Sequence, residues 1–128
     1  MLKLLIVEDN EVVRNLMADL FAGQNEFEIT GLAANGLEAL SLLKSGTIAD
    51  IVLADLNMPE MDGIELTKKI VLQHSDIKVI ILTMHENAEY LKRALDAGAK
   101  GYLLKDGNME DVYRAIKRVE AGQLAIGV

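Results

Sequence analysis

At 128 residues, with 51% hydrophobic and 26% charged side chains, the chain has the size and apolar content of one folded domain and leaves no room for a second of ordinary size. It contains no cysteine, which excludes disulfides, thiolate metal centres and cysteine nucleophiles. Its 13 Lys plus Arg against 20 Asp plus Glu give a net charge of −7, which opposes a direct grip on a phosphate backbone. No apolar run reaches the length of a membrane span, and Glu8 and Asp9 interrupt the apolar N-terminus before any cleavage-like site, so a cytoplasmic protein is expected.

In chain order, aliphatic or β-branched runs at Lys3 to Val7, Phe27 to Ala33, Ile51 to Ala54, Lys78 to Leu82 and Gly101 to Leu104 alternate with segments of helical spacing. The near-continuous hydrophobicity of the first, third and fourth runs suits strands buried on both faces. A first helix follows Asn10, with Val13, Leu16, Met17, Leu20 and Phe21 on one face. A second spans Gly36 to Lys44, where Asn35 and Glu38 form a capping-box-like pair and Gly46 follows the end. Asp62 and Glu65 repeat that arrangement ahead of a third helix ending near Gln73. A fourth runs from about Asn87 to Ala97, with Ala88, Leu91, Ala94 and Leu95 inward and Gly98 as its stop. The last begins after Asn108 and turns Met109, Val112, Ala115, Ile116 and Val119 inward before Gly122. The pattern is (βα)5, an α/β fold with one parallel sheet covered on both faces by right-handed crossovers.

In such sheets ligands sit beyond the carboxyl ends of the strands, near the point where strand order reverses. The residues ending each strand are Glu8 and Asp9, then Asp55, Thr83 and Lys105. The second strand runs instead into Ala33-Ala34-Asn35, which suits a peripheral position. Taken singly, each polar residue has a structural explanation: Glu8 and Asp9 favour the positive end of the first helix, Asp55 sits in a turn before Pro59, Thr83 ends a strand, and Lys105 is solvated. Together they point elsewhere. Three carboxylates in one crevice repel each other without a cation between them, and an all-oxygen ligand set selects a hard ion, Mg²⁺. The lack of a His or Cys ligand set argues against zinc. Lys105 offers a point charge and Thr83 a hydroxyl donor to phosphate oxygens. Asp55, central in this arrangement, fits the nucleophile that would take a phosphoryl group as an acyl phosphate, leaving Glu8 and Asp9 as metal ligands.

Four segments, Val7-Glu8-Asp9-Asn10, Asp55-Leu56-Asn57-Met58-Pro59-Glu60-Met61-Asp62-Gly63, Val79-Ile80-Ile81-Leu82-Thr83 and Gly101-Tyr102-Leu103-Leu104-Lys105, closely resemble the receiver domain of two-component response regulators, over essentially the whole chain. The resemblance implies a flavodoxin-like doubly wound sheet of five strands in the order 2-1-3-4-5. It implies a switch rather than an enzyme acting on a separate substrate: Asp55 receives a phosphoryl group from a sensor histidine kinase, and the domain catalyses its own phosphorylation and dephosphorylation. It also implies that the backbone carbonyl of Asn57 joins Glu8, Asp9 and Asp55 on Mg²⁺, and that Thr83 and Tyr102 form a switch pair, with Tyr102 turning inward as Thr83 moves toward the phosphate. A strand aromatic half-buried against the last helix is the alternative for Tyr102.

The departures from the family pattern are specific. Asp106 stands where most receivers have a cis proline after the lysine, and Met84 follows Thr83 where many have a small residue, which narrows access to the site. Thr83-Met84-His85-Glu86 and Leu103-Leu104-Lys105-Asp106 resemble the NarL/LuxR-type subclass, whose members carry a C-terminal helix-turn-helix domain. By that resemblance residues 1–122 form the receiver and 123–128 begin a linker to a DNA-binding domain that this chain does not contain, with a homodimer forming on phosphorylation and no membrane partner. His85 is either a modulator of phosphate hydrolysis or a solvated loop residue.

Three rival readings are weaker. A flavodoxin-type electron carrier needs a glycine- and hydroxyl-rich phosphate loop where this chain has Glu8-Asp9-Asn10-Glu11. An aspartate-dependent phosphohydrolase needs its nucleophile in an Asp-x-Asp pair after the first strand, whereas the central Asp here follows the third. A receiver-like module that is never phosphorylated would not require the full set of chemical residues.

Overall fold

The computed structural model describes residues 1–84, 87–105 and 108–127. Six parallel strands, β1 (Leu2–Val7), β2 (Phe27–Ala33), β3 (Ile51–Asp55), β4 (Lys78–Thr83), β5 (Gly101–Leu104) and β6 (Ala125–Gly127), form one sheet in the order β2-β1-β3-β4-β5-β6. Between them run α1 (Glu11–Ala22), α2 (Gly36–Lys44), α3 (Gly63–Gln73), α4 (Ala88–Ala97) and α5 (Met109–Glu120). The expected order 2-1-3-4-5 is therefore extended: a short sixth strand adds to the free edge of β5, and the expected five-stranded sheet is corrected to six. As expected, β2 is peripheral.

Successive side chains of a strand point to opposite faces, so the sheet divides the apolar residues into two cores. On one face Leu4, Ile6, Leu53, Ile80, Leu82 and Leu103 meet α1 and α5. On the other, Leu5, Val7, Val52, Ala54, Val79, Ile81 and Tyr102 meet α2, α3 and α4. The strands at the centre are buried on both faces, which accounts for their unbroken apolar sequence. On the α1/α5 side Phe21, Phe27 and Tyr113 form an aromatic cluster with centroids 5.4 to 5.6 Å apart, and the Tyr113 hydroxyl donates to the Leu20 carbonyl at 3.1 Å.

Each helix begins at an Asn or Asp whose side chain accepts from the first turn: Asn10 from Val13 N–H, Asn35 from Glu38, Asp62 from Glu65, Asn87 from Glu89 and Tyr90, and Asn108 from Asp111. Such caps stabilise a helix by about 1 kcal/mol each. Glu38 reaches back one residue further than a capping box requires, accepting from Ala34 N–H at 3.3 Å. Gly98 ends α4 with φ at 106°, a left-handed conformation that favours glycine.

The helical stripes are narrower than their sequence spacing suggests. On α1, Met17 and Phe21 are buried, but Leu16 and Leu20 are 56% and 39% exposed, because α1 meets the sheet along one edge of its apolar stripe and α5 leaves the other uncovered. On α4, Ala94 and Ala97 are buried and Ala88 lies exposed in the first turn, beyond the reach of the sheet. The expectation of inward Leu16, Leu20 and Ala88 is thus corrected.

Candidate functional site

Backbone hydrogen bonds carry the ladder one residue past the strand ends and so fix where the polar residues emerge. Glu8 N–H donates to Ala33 O at 3.0 Å, Leu56 N–H to Leu82 O at 2.9 Å, and Lys105 N–H to Thr83 O at 2.7 Å. Asp55 is the last residue of β3 and Thr83 the last of β4. The carboxyl edge thereby gathers Glu8, Asp9, Asp55, Thr83 and Lys105, as their positions in the sequence lead one to expect.

Carboxylate oxygens of Glu8, Asp9 and Asp55 lie within 4.8 Å of one another. Glu8 and Asp55 are buried, while Asp9 is exposed at the mouth. Lys105 reaches over from β5, with Nζ 2.5 Å from Glu8 Oε1 and 3.2 Å from Asp55 Oδ1. Glu8 is held further by Asn10 N–H, which donates to Oε2 at 3.1 Å, and its carbonyl accepts from Arg14 Nη1 at 2.8 Å. Asn57 N–H donates to Asp55 Oδ1 at 3.3 Å. Asn57 itself is exposed in the loop after β3, and Met84, expected to narrow access, is 58% exposed.

Burial dominates the electrostatics. It pushes the Asp55 carboxyl from an ordinary 3.8 to about 6; Lys105 works against this rise and the neighbouring Glu8 adds to it. Burial also works to lower Lys105, but its hydrogen bond to Glu8 and the charge of Asp55 prevail and hold its ammonium above the usual range. In the described chain one cation thus serves two buried carboxylates, and a third carboxylate faces them. A hard divalent cation fits this donor set, since three carboxylates meet around a space of ionic dimensions with oxygen atoms alone.

Thr83 is fully buried. Tyr102, also fully buried, belongs to the core on the α2/α3/α4 side, so its ring is neither half-exposed nor packed against α5. Burial raises its hydroxyl above the ordinary range, an effect Thr83 partly offsets from beside it, yet that hydroxyl makes no hydrogen bond of good geometry. His85 and Asp106 lie outside the described residues.

Gly63 also shapes the site and escaped the sequence argument. A Cβ at Gly63 would stand 2.6 Å from the Asp55 carbonyl oxygen, while Gly63 N–H donates to Leu56 O at 2.9 Å and its carbonyl accepts from Thr67 Oγ1 at 2.7 Å. The start of α3 is thereby drawn against the backbone of the central carboxylate. In the loop between them Glu60 has φ at 70°, an uncommon conformation for a residue with a side chain. The visible signal was a glycine immediately after the Asp62 cap.

A family model for the response regulator receiver domain matches residues 4–117. The chain belongs to this family. Among relatives of the receiver domain, an uncharacterized transcriptional regulatory protein, YhcZ, of Bacillus subtilis is 43% identical over 95% of this chain and 56% of its own length. The response regulator GacA of Pseudomonas aeruginosa is 35% identical over 96% of this chain and 57% of its own. The receiver domain thus spans little more than half the length of these curated relatives. Among solved structures, a LuxR-family two-component response regulator from an Aurantimonas species superposes with a TM-score of 0.90 at 31% identity, over 96% of this chain and 87% of that one. A LuxR-family DNA-binding response regulator from Staphylococcus aureus gives 0.85 at 32% identity, over 93% and 98%. The expected subclass is therefore the one found among the structural neighbours, and among the described residues no helix is long and apolar enough to cross a membrane.

Proposed function

We propose that this receiver domain is a phosphoacceptor switch in which Asp55 takes a phosphoryl group from a sensor histidine kinase. The observation that carries the reading is the convergence of Glu8, Asp9 and Asp55 within 4.8 Å, with Lys105 bridging the two buried members. An Asp55 carboxylate oxygen attacks phosphorus; the O–P bond forms as the bond from phosphorus to the donor's histidine nitrogen breaks, and the proton needed by the departing imidazole comes from solvent. Lys105 and the Thr83 hydroxyl receive the transferred oxygens, Lys105 moving from carboxylate partners to phosphate.

Glu8, Asp9 and Asp55, with the Asn57 backbone carbonyl, would hold Mg²⁺. Bound there, the ion supplies neutralisation of phosphoryl oxygens that would otherwise repel the carboxylates. Hydrolysis of the acyl phosphate by the same residues resets the switch. The readout follows from the added charge, which favours one arrangement of Thr83 and Tyr102 over another by the difference in its contacts with the two.

The longer relatives are transcriptional regulators by name, which supports an output on transcription through a DNA-binding domain beyond residues 1–128. In that reading residues 1–122 are the receiver and 123–128 begin the linker, of which residues 125–127 still pair with the sheet as β6, the phosphorylated domain pairs with a second copy, and it works in the cytoplasm. Incubation with Mg²⁺ and a small acyl phosphate tests the central claim. Intact mass should rise by one phosphoryl group in the wild type and stay unchanged in Asp55→Asn; labelling that persists in the variant would reject Asp55 as acceptor.

A further inference from the structure

The sixth strand lies beside the one buried aromatic whose hydroxyl is unsatisfied among the described residues. In β6, Ala125, Ile126 and Gly127 stand opposite Gly101, Tyr102 and Leu103 of β5. The strand is pinned at its start by Ala125 N–H donating to Lys100 O at 3.0 Å and by Arg118 Nη2 donating to Leu124 O at 3.2 Å. Ala125 packs into the same core as Leu103, on the α1/α5 side, so the pleat turns Ile126 to the opposite face, beside Tyr102. Neighbouring strands lie roughly 5 Å apart, so residues paired on one face stand side by side. Tyr102 is fully buried and Ile126 is 45% exposed, so the register sets Ile126 on the outer, edge side of that ring.

Without β6, β5 would be the edge strand and the flank of Tyr102 would open to water. A buried hydroxyl without a good partner is unfavourable, so the ring has a reason to leave when uncovered. Tyr102 lies on β5 between two parts of the site: Thr83, which closes neighbouring β4, and Lys105, which follows β5.

We infer that β6 is a latch on the switch, holding Tyr102 inward beside Thr83 while it is paired with β5 and freeing the ring toward solvent when it is released. The link to the phosphorylated state rests on the phosphoacceptor reading; the hold of β6 on the ring does not. Because coupling between two events in one molecule is reciprocal, a phosphoryl group that favours the inward ring also tightens β6, and release of β6 weakens the hold on the phosphoryl group by the same factor. Parallel pairing also brings residue 127 to the carboxyl edge, the same edge as the site.

The test uses the full chain with fluorotyrosine incorporated and fluorine NMR, the Tyr102 resonance being assigned through Tyr102→Phe. Ala125→Pro removes the N–H bonded to Lys100 O, and Ile126→Ser keeps the backbone pairing while removing the apolar cover. Both variants should make the Tyr102 resonance solvent-sensitive, and Ile126→Ser, which lies on the other face, should leave that of buried Tyr113, which reports the α1/α5 core, unchanged. In the wild type, saturation with Mg²⁺ and beryllofluoride, a phosphoryl analogue, should slow amide exchange in β6 by at least about fivefold, the lower end of ordinary coupling between sites. A Tyr102 resonance that stays shielded in both folded variants overturns the latch, as does β6 exchange unchanged on saturation. Failure of the wild type to bind beryllofluoride or to be labelled at Asp55 would instead overturn the phosphoacceptor reading, and the ring exposure in the two variants would still decide the latch.

Discussion

The two ends of the parallel sheet use charge in opposite ways. At the amino end, Asp50 accepts from Lys3 N–H at 2.8 Å, and Lys78 Nζ donates to the carbonyls of Val119 and Glu120 at 3.2 and 3.4 Å, where the C-terminus of α5 is electronegative. Asp50 and Lys78 each meet a backbone group of opposite polarity, and the ion pair of Lys117 with Glu26 at 2.7 Å stays half in water. At the carboxyl end three carboxylates face one another and, among the described residues, Lys105 bridges the buried two. One end closes the fold, whereas the other holds carboxylate repulsion that Lys105 relieves only in part, leaving Asp55 raised. The candidate site is thus marked by an electrostatic asymmetry along the strand direction.

The asymmetry can be broken most severely at Lys105. Lys105→Met should lower the unfolding free energy at neutral pH by about 3 kcal/mol in urea melts, since it strands two buried carboxylates without their cation. Mg²⁺ should restore part of the loss; a variant as stable as wild type would show that the ammonium is dispensable to the pair.

Asp55→Asn should act in the other direction. The folded protein holds the Asp55 proton more tightly than the unfolded chain, at about 6 against 3.8, so its stability falls as pH rises through that window. Removing the charge should therefore stabilise the metal-free domain by up to about 3 kcal/mol above pH 6, with the gain fading as pH drops toward 4. A gain that does not vary over this range would place its origin elsewhere.

Adding Mg²⁺ sharpens the comparison. With free metal at roughly ten times its dissociation constant, linkage gives about 1.4 kcal/mol, read as a rise in Tm. The rise should shrink in Asp9→Ala, and its absence in the wild type would count against a cation at this edge. The smallest effect is expected at the opposite end, where Asp50→Ala should cost about 1 kcal/mol through the lost bond to Lys3 N–H, equally with and without Mg²⁺. A metal-dependent loss there would erase the distinction between the ends.

Much of this was legible before any coordinates. Runs such as Ile51-Val-Leu-Ala54 and Val79-Ile-Ile-Leu82 read as buried strands because both faces of the sheet are covered, and the polar residue ending each run marks the carboxyl edge directly. What could not be read depends on tertiary cover or on approach between distant residues. Leu16 and Leu20 share their spacing with Met17 and Phe21, but spacing gives the direction of a stripe and not how much of it a neighbour reaches. Ala125-Ile126-Gly127 is too short to announce a strand, and its pairing is created by the open edge of β5. Sequence position presents Lys105 as a phosphate ligand, yet its tight partner in this structure is Glu8, 97 positions away, which no local pattern encodes. Gly63 needs to be a glycine because of a carbonyl eight positions earlier, again a matter of three-dimensional approach.

The direction of β6 bears on how the molecule can be instrumented. Leu2 opens β1 at the amino edge, whereas Gly127 closes β6 at the opposite one, roughly 20 Å away along a six-residue strand. A fluorophore fused ahead of residue 2 and another fused behind residue 127 would therefore sit at opposite poles, and only the second would report events at the crevice.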